Sequence, residues 1–231
     1  MKLAVLFSGG KDSCLALHKA IQEGHKVLFL LSILPETQES FMFHTPYLKL
    51  LKKQAERLGI KLITVKTKAE KEKELEDLER LIRKVLGKVD GICVGGIASN
   101  YQGERIKNIC QNLNLRFYAP LWGYSGDRLW EEIFSEGFKV IITRIACEGL
   151  SSEFIGKIID KEMLEKIREL SEKYKFRVDF EGGEAETAVL FMPEFKDKGD
   201  ENEKEIKIDF SVENEGKYNC ILDLKKIKSA A

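Results

Sequence analysis

The sequence lacks an excess of charge of either sign. Its 231 residues include 38 Lys and Arg and 38 Asp and Glu, so the formal net charge at pH 7 is zero. A protein that binds nucleic acid or an anionic membrane through its overall field usually carries a marked positive charge. The charge balance therefore gives no support to a nucleic acid or a membrane as a partner.

Long apolar stretches are also absent. No run of residues reaches the roughly 20 apolar side chains that a helix needs to cross a bilayer. The N-terminus leads directly into a strand-like run and lacks the layout of a secretory signal peptide. We therefore expect a cytoplasmic protein.

The cysteines do not form any Cys-x-x-Cys pair. Zinc sites and thioredoxin-like redox sites depend on such closely spaced pairs, so the sequence predicts neither. Packing as small buried side chains is the expected role of the five cysteines. They are Cys14, Cys93, Cys110, Cys147 and Cys220.

Two common phosphate-binding patterns, the Walker loop and the Rossmann fingerprint, are missing as well. The chain has instead Ser8-Gly9-Gly10-Lys11-Asp12-Ser13, placed between an apolar run at 3–7 and a helical pattern that ends at Gly24. A glycine turn can direct several backbone N–H groups at one point. The N-terminus of the following helix adds partial positive charge. The segment therefore predicts a site for a phosphate or another oxyanion.

Strand-like and helix-like patterns alternate over the first half of the chain. Apolar runs typical of strands covered on both faces recur at 26–33, 61–65 and 89–94, with amphipathic helical patterns between them. This alternation predicts an α/β fold with a doubly wound parallel sheet. Ligands of such sheets bind beyond the carboxyl ends of the strands, where the Ser8–Ser13 loop should lie.

The second half of the chain has a different pattern. Helical segments are followed by strand-like runs at 206–212 and 217–224, which predict a hairpin around a turn at Glu213–Gly216. We expect a nucleotide-binding domain of residues 1–122 and a smaller, substrate-binding α+β domain of residues 123–231.

A polar segment at 95–105 joins a predicted buried strand to a helix. Ser99, Gln102 and Arg105 place hydroxyl, amide and guanidinium groups within little more than one helical turn. Arg105 could hold a carboxylate or a phosphate through two parallel hydrogen bonds. The alternative is helix capping by Ser99 or Asn100, with Arg105 as a surface residue.

A second polar segment, at 179–187, is acidic and glycine-rich. Such a loop could hold Mg²⁺, orient a cationic group or act as a general base, and a solvated turn is the alternative. His44 could contact a nucleotide base or a phosphate, or serve as a structural hydrogen-bond partner. The acidic segment consists of Glu181, Gly182, Gly183, Glu184 and Glu186 with their neighbours.

Together these motifs resemble those of one family. The chain from Met1 to about Pro193 resembles the diphthine–ammonia ligase (diphthamide synthetase) family of the N-type ATP pyrophosphatase, or PP-loop, superfamily. It departs from the common family pattern at Tyr47, Phe180 and Ala185. The segments that carry the resemblance are Ser8–Ser13, Met42-Phe43-His44, residues 95–105, Pro120-Leu121-Trp122, Gly149-Leu150 and residues 181–187.

The resemblance implies a HUP-like (adenine nucleotide alpha hydrolase-like) fold and an ATP-dependent ligase reaction. In this reaction the carboxylate of diphthine on translation elongation factor 2 is adenylated and then amidated by ammonia, with release of AMP and pyrophosphate. ATP and Mg²⁺ are the implied cofactors, and elongation factor 2 and ammonium are the implied partners. A homodimer is compatible with the sequence, although no motif indicates one.

The resemblance also implies residue roles. The implied nucleotide-binding residues are Ser8, Gly9, Gly10, Lys11, Asp12, Ser13, His44, Gly95 and Ile97, with Asp12 as the metal ligand. The implied substrate-binding residues are Ser99, Tyr101, Gln102, Arg105, Glu181, Gly182, Gly183, Glu184 and Thr187. The implied catalytic residues are Lys11, Asp12, Arg105, Glu184 and Glu186.

Two other functions share the Ser8–Ser13 loop. A tRNA-modifying PP-loop enzyme should have a basic patch, and many thiolases of this kind carry cysteine pairs, so the composition counts against it. A non-catalytic adenylate sensor would need neither Arg105 nor the acidic segment. It would bind ATP without forming AMP.

Overall fold

The computed structural model describes residues 1–35, 47–67, 73–96, 100–196, 205–216 and 218–228. The chain divides into two compact units, Met1–Gly123 and Tyr124–Ala231. Each unit contains a β-sheet of its own.

The first unit is an alternating α/β fold around a five-stranded parallel sheet. The strands are β1 (Lys2–Leu6), β2 (Lys26–Pro35), β3 (Lys61–Thr67), β4 (Gly91–Cys93) and β5 (Arg116–Tyr118). The helices are α1 (Lys11–Gln22), α2 (Leu48–Leu58), α3 (Lys73–Arg83) and α4 (Asn100–Asn112). The strand order is β3-β2-β1-β4-β5, so the chain builds outward from β1 to one side and then from β4 to the other. This order confirms the predicted doubly wound sheet.

The helices of this unit form where apolar residues recur at helical spacing. In α3, Leu78, Leu81 and Ile82 are fully buried, as expected for one face of an amphipathic helix. The opposite face carries the ion pair between Arg83 and Glu79, which are four residues apart. The hydrophobic effect therefore orients α3 against the sheet, and the Arg83–Glu79 pair remains at the surface.

The second unit combines an antiparallel sheet with helices and confirms the predicted α+β part. Its elements are α5 (Gly126–Ser135), β6 (Lys139–Ala146), a short 3₁₀ turn (Ser152–Phe154), α6 (Lys161–Tyr174), β7 (Ala185–Phe191), β8 (Ile208–Gly216) and β9 (Asn219–Ile227). The sheet order is β7-β6-β9-β8. Side-chain oxygens of Ser125 and Asp160 cap α5 and α6, accepting backbone N–H bonds at 3.2 and 2.8 Å.

The predicted turn at Glu213–Gly216 is wrong. Strand β8 continues to Gly216, pairing Glu213 with Ile221, and β9 begins only at Asn219. β8 lies at the edge of its sheet and much of it is exposed to solvent. Charged residues are common on such edge strands. Turns are also rich in charged and polar residues. For this reason the sequence of this edge strand was mistaken for a turn.

Burial accounts for most of the cysteines. Four of the five are buried, and Cys147 is partly accessible. Burial raises the pKa of Cys110 to about 11. Within the described ranges, no group of three or more His, Cys, Asp or Glu residues could hold a metal ion. No described helix has both the length and the apolar character needed to cross a membrane.

Candidate active site

The carboxyl ends of β1 and β4 lie side by side because these strands pair in parallel. The Ser8–Ser13 loop follows β1, and Gly95 follows β4. A Cβ atom added to Gly95 would lie 2.6 Å from the backbone carbon and oxygen of Asp12, closer than real Cβ contacts. The two predicted nucleotide-binding segments are therefore in direct backbone contact. They meet where the direction of strand addition reverses, which is the ligand-binding position of such sheets.

Hydrogen bonds close the Ser8–Ser13 loop on itself. The backbone N–H groups of Ser8 and Gly10 donate to the hydroxyls of Ser13 and Ser8, respectively, each at 3.3 Å. The Ser13 hydroxyl donates to the Gly10 carbonyl at 3.1 Å. Gly9 has a φ of +77°, which glycine adopts readily. Because the N-cap Gly10 has no side chain to cap α1, the positive end of the helix dipole faces the loop and can attract a phosphate.

Gln54 of α2 supports this loop from outside. Its Nε2 donates to the Gly9 carbonyl at 2.9 Å, and the residue is 1 % exposed. A Cβ atom on Gly9 would lie 2.2 Å from the Oε1 of Gln54, so glycine is required for this approach. Sequence reasoning missed Gln54, because a lone glutamine far along the chain carries no local signal.

Lys11 and Asp12 form an ion pair at the start of α1. The Lys11 amine donates to Asp12 Oδ2 at 2.9 Å, whereas Asp12 Oδ1 is buried and meets no hydrogen-bond donor among the described residues. A buried carboxylate oxygen without a donor is costly unless it meets a cation. Mg²⁺ on nucleotides commonly takes one or two protein carboxylates and otherwise phosphate and water oxygens. The side chain of Asp12 therefore fits the predicted metal ligand.

Helix α4 carries three of the predicted substrate-binding residues. Tyr101 and Gln102 lie in its first turn, and Arg105 lies one turn further on with a half-buried side chain. Three other predictions for this unit fall outside the described residues and stay predictions. These are His44, Ile97 and Ser99.

Trp122 packs closely on α4. A Cβ atom on Gly103 would lie 2.8 Å from two carbons of the indole ring, so only glycine lets the ring rest against the helix. The indole nevertheless remains 44 % exposed. The Pro-Leu-Trp segment that carried part of the family resemblance is thus a packing feature of the first unit.

In the second unit, Asp179 organises the acidic segment. Arg177 donates from Nε and Nη2 to the two carboxylate oxygens of Asp179 at 2.9 and 2.6 Å. The Glu181 N–H donates to Asp179 Oδ1 at 3.1 Å, and Trp130 Nε1 donates to the Val178 carbonyl at 3.0 Å. Hydrogen bonding to Asp179 raises the pKa of Arg177 above its usual value. These bonds give the segment a defined conformation.

Among the described residues, hydrogen-bond donors contact just one of the two carboxylate oxygens of Glu184. Its Oε1 accepts a bond from the Arg177 N–H at 3.0 Å, whereas its Oε2 is buried and meets no donor in the described part of the chain. A Cβ atom on Gly182 would lie 2.5 Å from Glu184 Oε1, so this glycine makes room for the carboxylate. Burial, and then the charge of Glu184, raise the pKa of the Cys147 thiol. A carboxylate with one open, buried oxygen can accept a proton donor.

The remaining predicted residues of this segment lie on β7. Glu186 Oε1 is 3.5 Å from Nη1 of Arg144 on β6, and Thr187 pairs with Ile142 in the β6–β7 ladder. Arg144 had no signal in the sequence, because its contact with Glu186 depends on strand register. The Ser8–Ser13 loop and the acidic segment belong to different units of the chain.

Two family models match this sequence. The diphthamide synthase N-terminal domain matches residues 1–117, and the diphthamide synthase C-terminal domain matches residues 125–228. Together they include the glycine loop and the acidic segment.

Curated relatives agree with these matches. The chain is 36% identical over 220 residues to the diphthine–ammonia ligases of Bos taurus and Homo sapiens, covering 86% of this chain and 82% of each relative. Among solved structures, a predicted subunit of tRNA methyltransferase from Methanocaldococcus jannaschii shares 18% identity at a TM-score of 0.46, over 84% of this chain and 98% of that chain. That structural likeness is too distant to bear on function. The two domain matches and the identity to these relatives show that the chain belongs to the diphthamide synthase family.

Proposed function

We propose that the protein uses ATP to convert the carboxylate of diphthine on translation elongation factor 2 into the amide of diphthamide. A carboxylate oxygen attacks the α-phosphorus of ATP, giving an acyl-adenylate and pyrophosphate. Ammonia then attacks the acyl carbon and expels AMP. Family membership supports this reaction. The structural observation that carries it is the self-bonded glycine loop at the carboxyl edge of β1 and β4.

The Ser8–Ser13 loop would bind the β and γ phosphates of ATP. Its internal hydrogen bonds fix its shape before the nucleotide arrives, and donors that need no reorganisation stabilise developing charge most effectively. The Lys11 amine would neutralise the departing pyrophosphate. Gln54 would hold the Gly9 peptide in the orientation that points the loop toward the nucleotide.

Asp12 would hold Mg²⁺ through its buried Oδ1. When bound, the ion would neutralise part of the charge that develops on the leaving pyrophosphate. The ion pair with Lys11 fixes the other oxygen of Asp12, so the carboxylate is oriented in advance.

The acidic segment would handle ammonia. Ammonium must lose a proton before its nitrogen can attack, and a nearby carboxylate can accept that proton. Glu184 offers the open, buried Oε2 for this purpose. We also assign Glu181, Glu186 and Thr187 to binding of the acceptor. Tyr101, Gln102 and Arg105 of α4 would orient the diphthine group or its adenylate.

The proposed protein substrate also predicts where the enzyme acts. Because elongation factor 2 works in the cytoplasm, the proposed enzyme would act there with free ammonium as its nitrogen source. A homodimer is a further prediction, which sedimentation analysis can test.

The deciding experiment follows radiolabelled ATP in the presence of Mg²⁺ and ammonium, with and without diphthine-bearing elongation factor 2, and separates AMP from ADP. We expect AMP and pyrophosphate only when the protein substrate is present. AMP formed with tRNA in place of the factor would assign the chain to RNA modification. ATP that binds but is not consumed under any condition would assign it to adenylate sensing.

Asp12→Ala should abolish AMP formation in this assay, because it removes the metal ligand and the partner of Lys11. Asp127→Ala is a matched control, since Asp127 also lies in the first turn of a helix but is 62 % exposed and pairs with Arg168. Full activity of Asp12→Ala would refute the role of the loop.

Glu184→Gln tests the ammonia-handling role. Glutamine keeps the size of the side chain but cannot accept a proton. We therefore expect a lower kcat and a higher ammonium concentration for the half-maximal rate. Turnover and ammonium dependence equal to those of the wild type would remove Glu184 from this role.

A further inference from the structure

Three polar side chains share one face of the antiparallel sheet. Arg144 on β6 lies opposite Glu186 on β7, and Ala146, two residues further along β6, lies opposite Asn219 on β9. Residues opposite each other on paired strands, and residues two apart on one strand, point to the same face of a sheet. Arg144, Glu186 and Asn219 therefore project from the same face around the small side chain of Ala146.

Two of these side chains have buried polar atoms that none of the described residues satisfies. Nε of Arg144 and Oδ1 of Asn219 are buried, and neither meets a hydrogen-bond partner among the described residues. Native proteins leave few such atoms, and each one needs an explanation. Ile221, which lies opposite Arg144 on β9, is apolar and offers no partner. A ligand with an acceptor oxygen supplies the missing partner of Nε. A half turn of the Asn219 amide about its Cβ–Cγ bond would offer the same oxygen an Nδ2 donor in place of Oδ1.

The orientation of Arg144 identifies the chemistry of this ligand. Glu186 approaches Nη1 at 3.5 Å, a distance at the outer limit of hydrogen bonding. This contact leaves the guanidinium edge formed by Nε and Nη2, which is the edge that binds a carboxylate through two parallel hydrogen bonds. The Arg144 side chain is 20 % exposed and is thus accessible to a small group.

We propose that Arg144, through Nε and Nη2, and Asn219, through Nδ2 of its turned amide, form a subsite for the carboxylate of the acceptor, the group that becomes adenylated. This inference rests on the proposed function. The subsite adjoins the ammonia-handling residue, because the Ala146 N–H donates to the Glu184 carbonyl at 2.8 Å. Glu186 would balance the charge of Arg144 when the carboxylate is absent. Arg144 would then bind the acceptor and not the nucleotide.

The test measures KM for diphthine-bearing elongation factor 2 in the AMP-forming assay, at saturating ATP and ammonium. Arg144→Gln should raise this KM about tenfold or more, as expected for the loss of charge-assisted hydrogen bonds, with the KM for ATP unchanged. Arg144→Lys keeps the charge but loses the two-pronged edge, so it should recover only part of the affinity. Asn219→Asp should also raise the KM for the factor, because it places a negative charge beside the incoming carboxylate.

Arg168→Gln is the matched control, because Arg168 lies in the same unit and pairs at 2.8 Å with the exposed Asp127. It should leave both KM values unchanged, and circular dichroism should show that all variants are folded. If Arg144→Gln does not fold, Asn219→Asp decides the question alone. With an active wild type, an unchanged KM for the factor in the folded variants would overturn the subsite. A wild type that forms no AMP with the factor would overturn the proposed function itself.

Discussion

The missing side chain of Gly95 keeps the loop after β4 in contact with the start of α1. Gly95→Ala would place a methyl group 2.6 Å from the backbone of Asp12. This backbone cannot move without shifting the Ser8–Ser13 loop, of which Asp12 is part. We expect this variant to lose about 1–3 kcal/mol of unfolding free energy, as is typical of overpacking. We also expect its KM for ATP to rise. Urea unfolding and steady-state kinetics measure the two effects.

The neighbouring residue provides the control for this substitution. A Cβ atom on Gly96 would meet nothing within 4 Å, so Gly96→Ala should keep both the stability and the KM for ATP. Equal behaviour of the Gly95 and Gly96 variants would show that the close backbone contact is not needed.

Cys147 should react with iodoacetamide before the four buried cysteines, but more slowly than a free thiol at pH 8. Burial and the charge of Glu184 raise the pKa of Cys147, and only the thiolate reacts. The alkylation rate should therefore still be rising above pH 9, where a free cysteine is already mostly ionised. Mass spectrometry across a pH series measures this profile.

Glu184→Gln provides the control for the Cys147 profile. Removal of the carboxylate charge should lower the pKa of Cys147 and speed its alkylation at pH 8. A rate unaffected by this substitution would indicate that burial alone sets the reactivity of the thiol.

At the scale of elements, α2 supports the Ser8–Ser13 loop through the side chain of Gln54. Gln54→Ala would leave the buried Gly9 carbonyl without its donor, which typically costs about 1–3 kcal/mol. We expect lower stability and a higher KM for ATP, measured by thermal unfolding and kinetics. Lys53→Ala is the control, because its exposed ion pair with Glu56 should contribute less than about 1 kcal/mol. Wild-type ATP kinetics in Gln54→Ala would show that α2 does not position the loop.

The elements that the sequence predicted well are those with a local apolar pattern. The helix and strand patterns of the first unit, and the glycine loop after β1, depend on residues close together in the chain. The error at Glu213–Gly216 arose because an exposed edge strand and a turn have similar composition. Gln54 and Arg144 could not be predicted, because their contacts depend on how distant elements pack and on strand register. Such contacts leave no periodic signal in a single sequence.

At the scale of the whole molecule, the proposed chemistry is divided between the two units. The Ser8–Ser13 loop belongs to Met1–Gly123 and the acidic segment to Tyr124–Ala231. With equal numbers of acidic and basic residues, the chain has no net charge that could attract a polyanion from a distance. Recognition of the proposed acceptor protein would then depend on local groups, of which Arg144 is the one we propose.

The position of the two tryptophans gives each unit its own fluorescent reporter. Trp122 in the first unit is 44 % exposed, whereas Trp130 in the second is fully buried. Acrylamide should quench the emission of Trp122 strongly, and Trp122→Phe should leave a blue-shifted emission that acrylamide barely reaches. Strong quenching in that variant would contradict the burial of Trp130. Emission from the two single-tryptophan variants can then follow the unfolding of each unit separately.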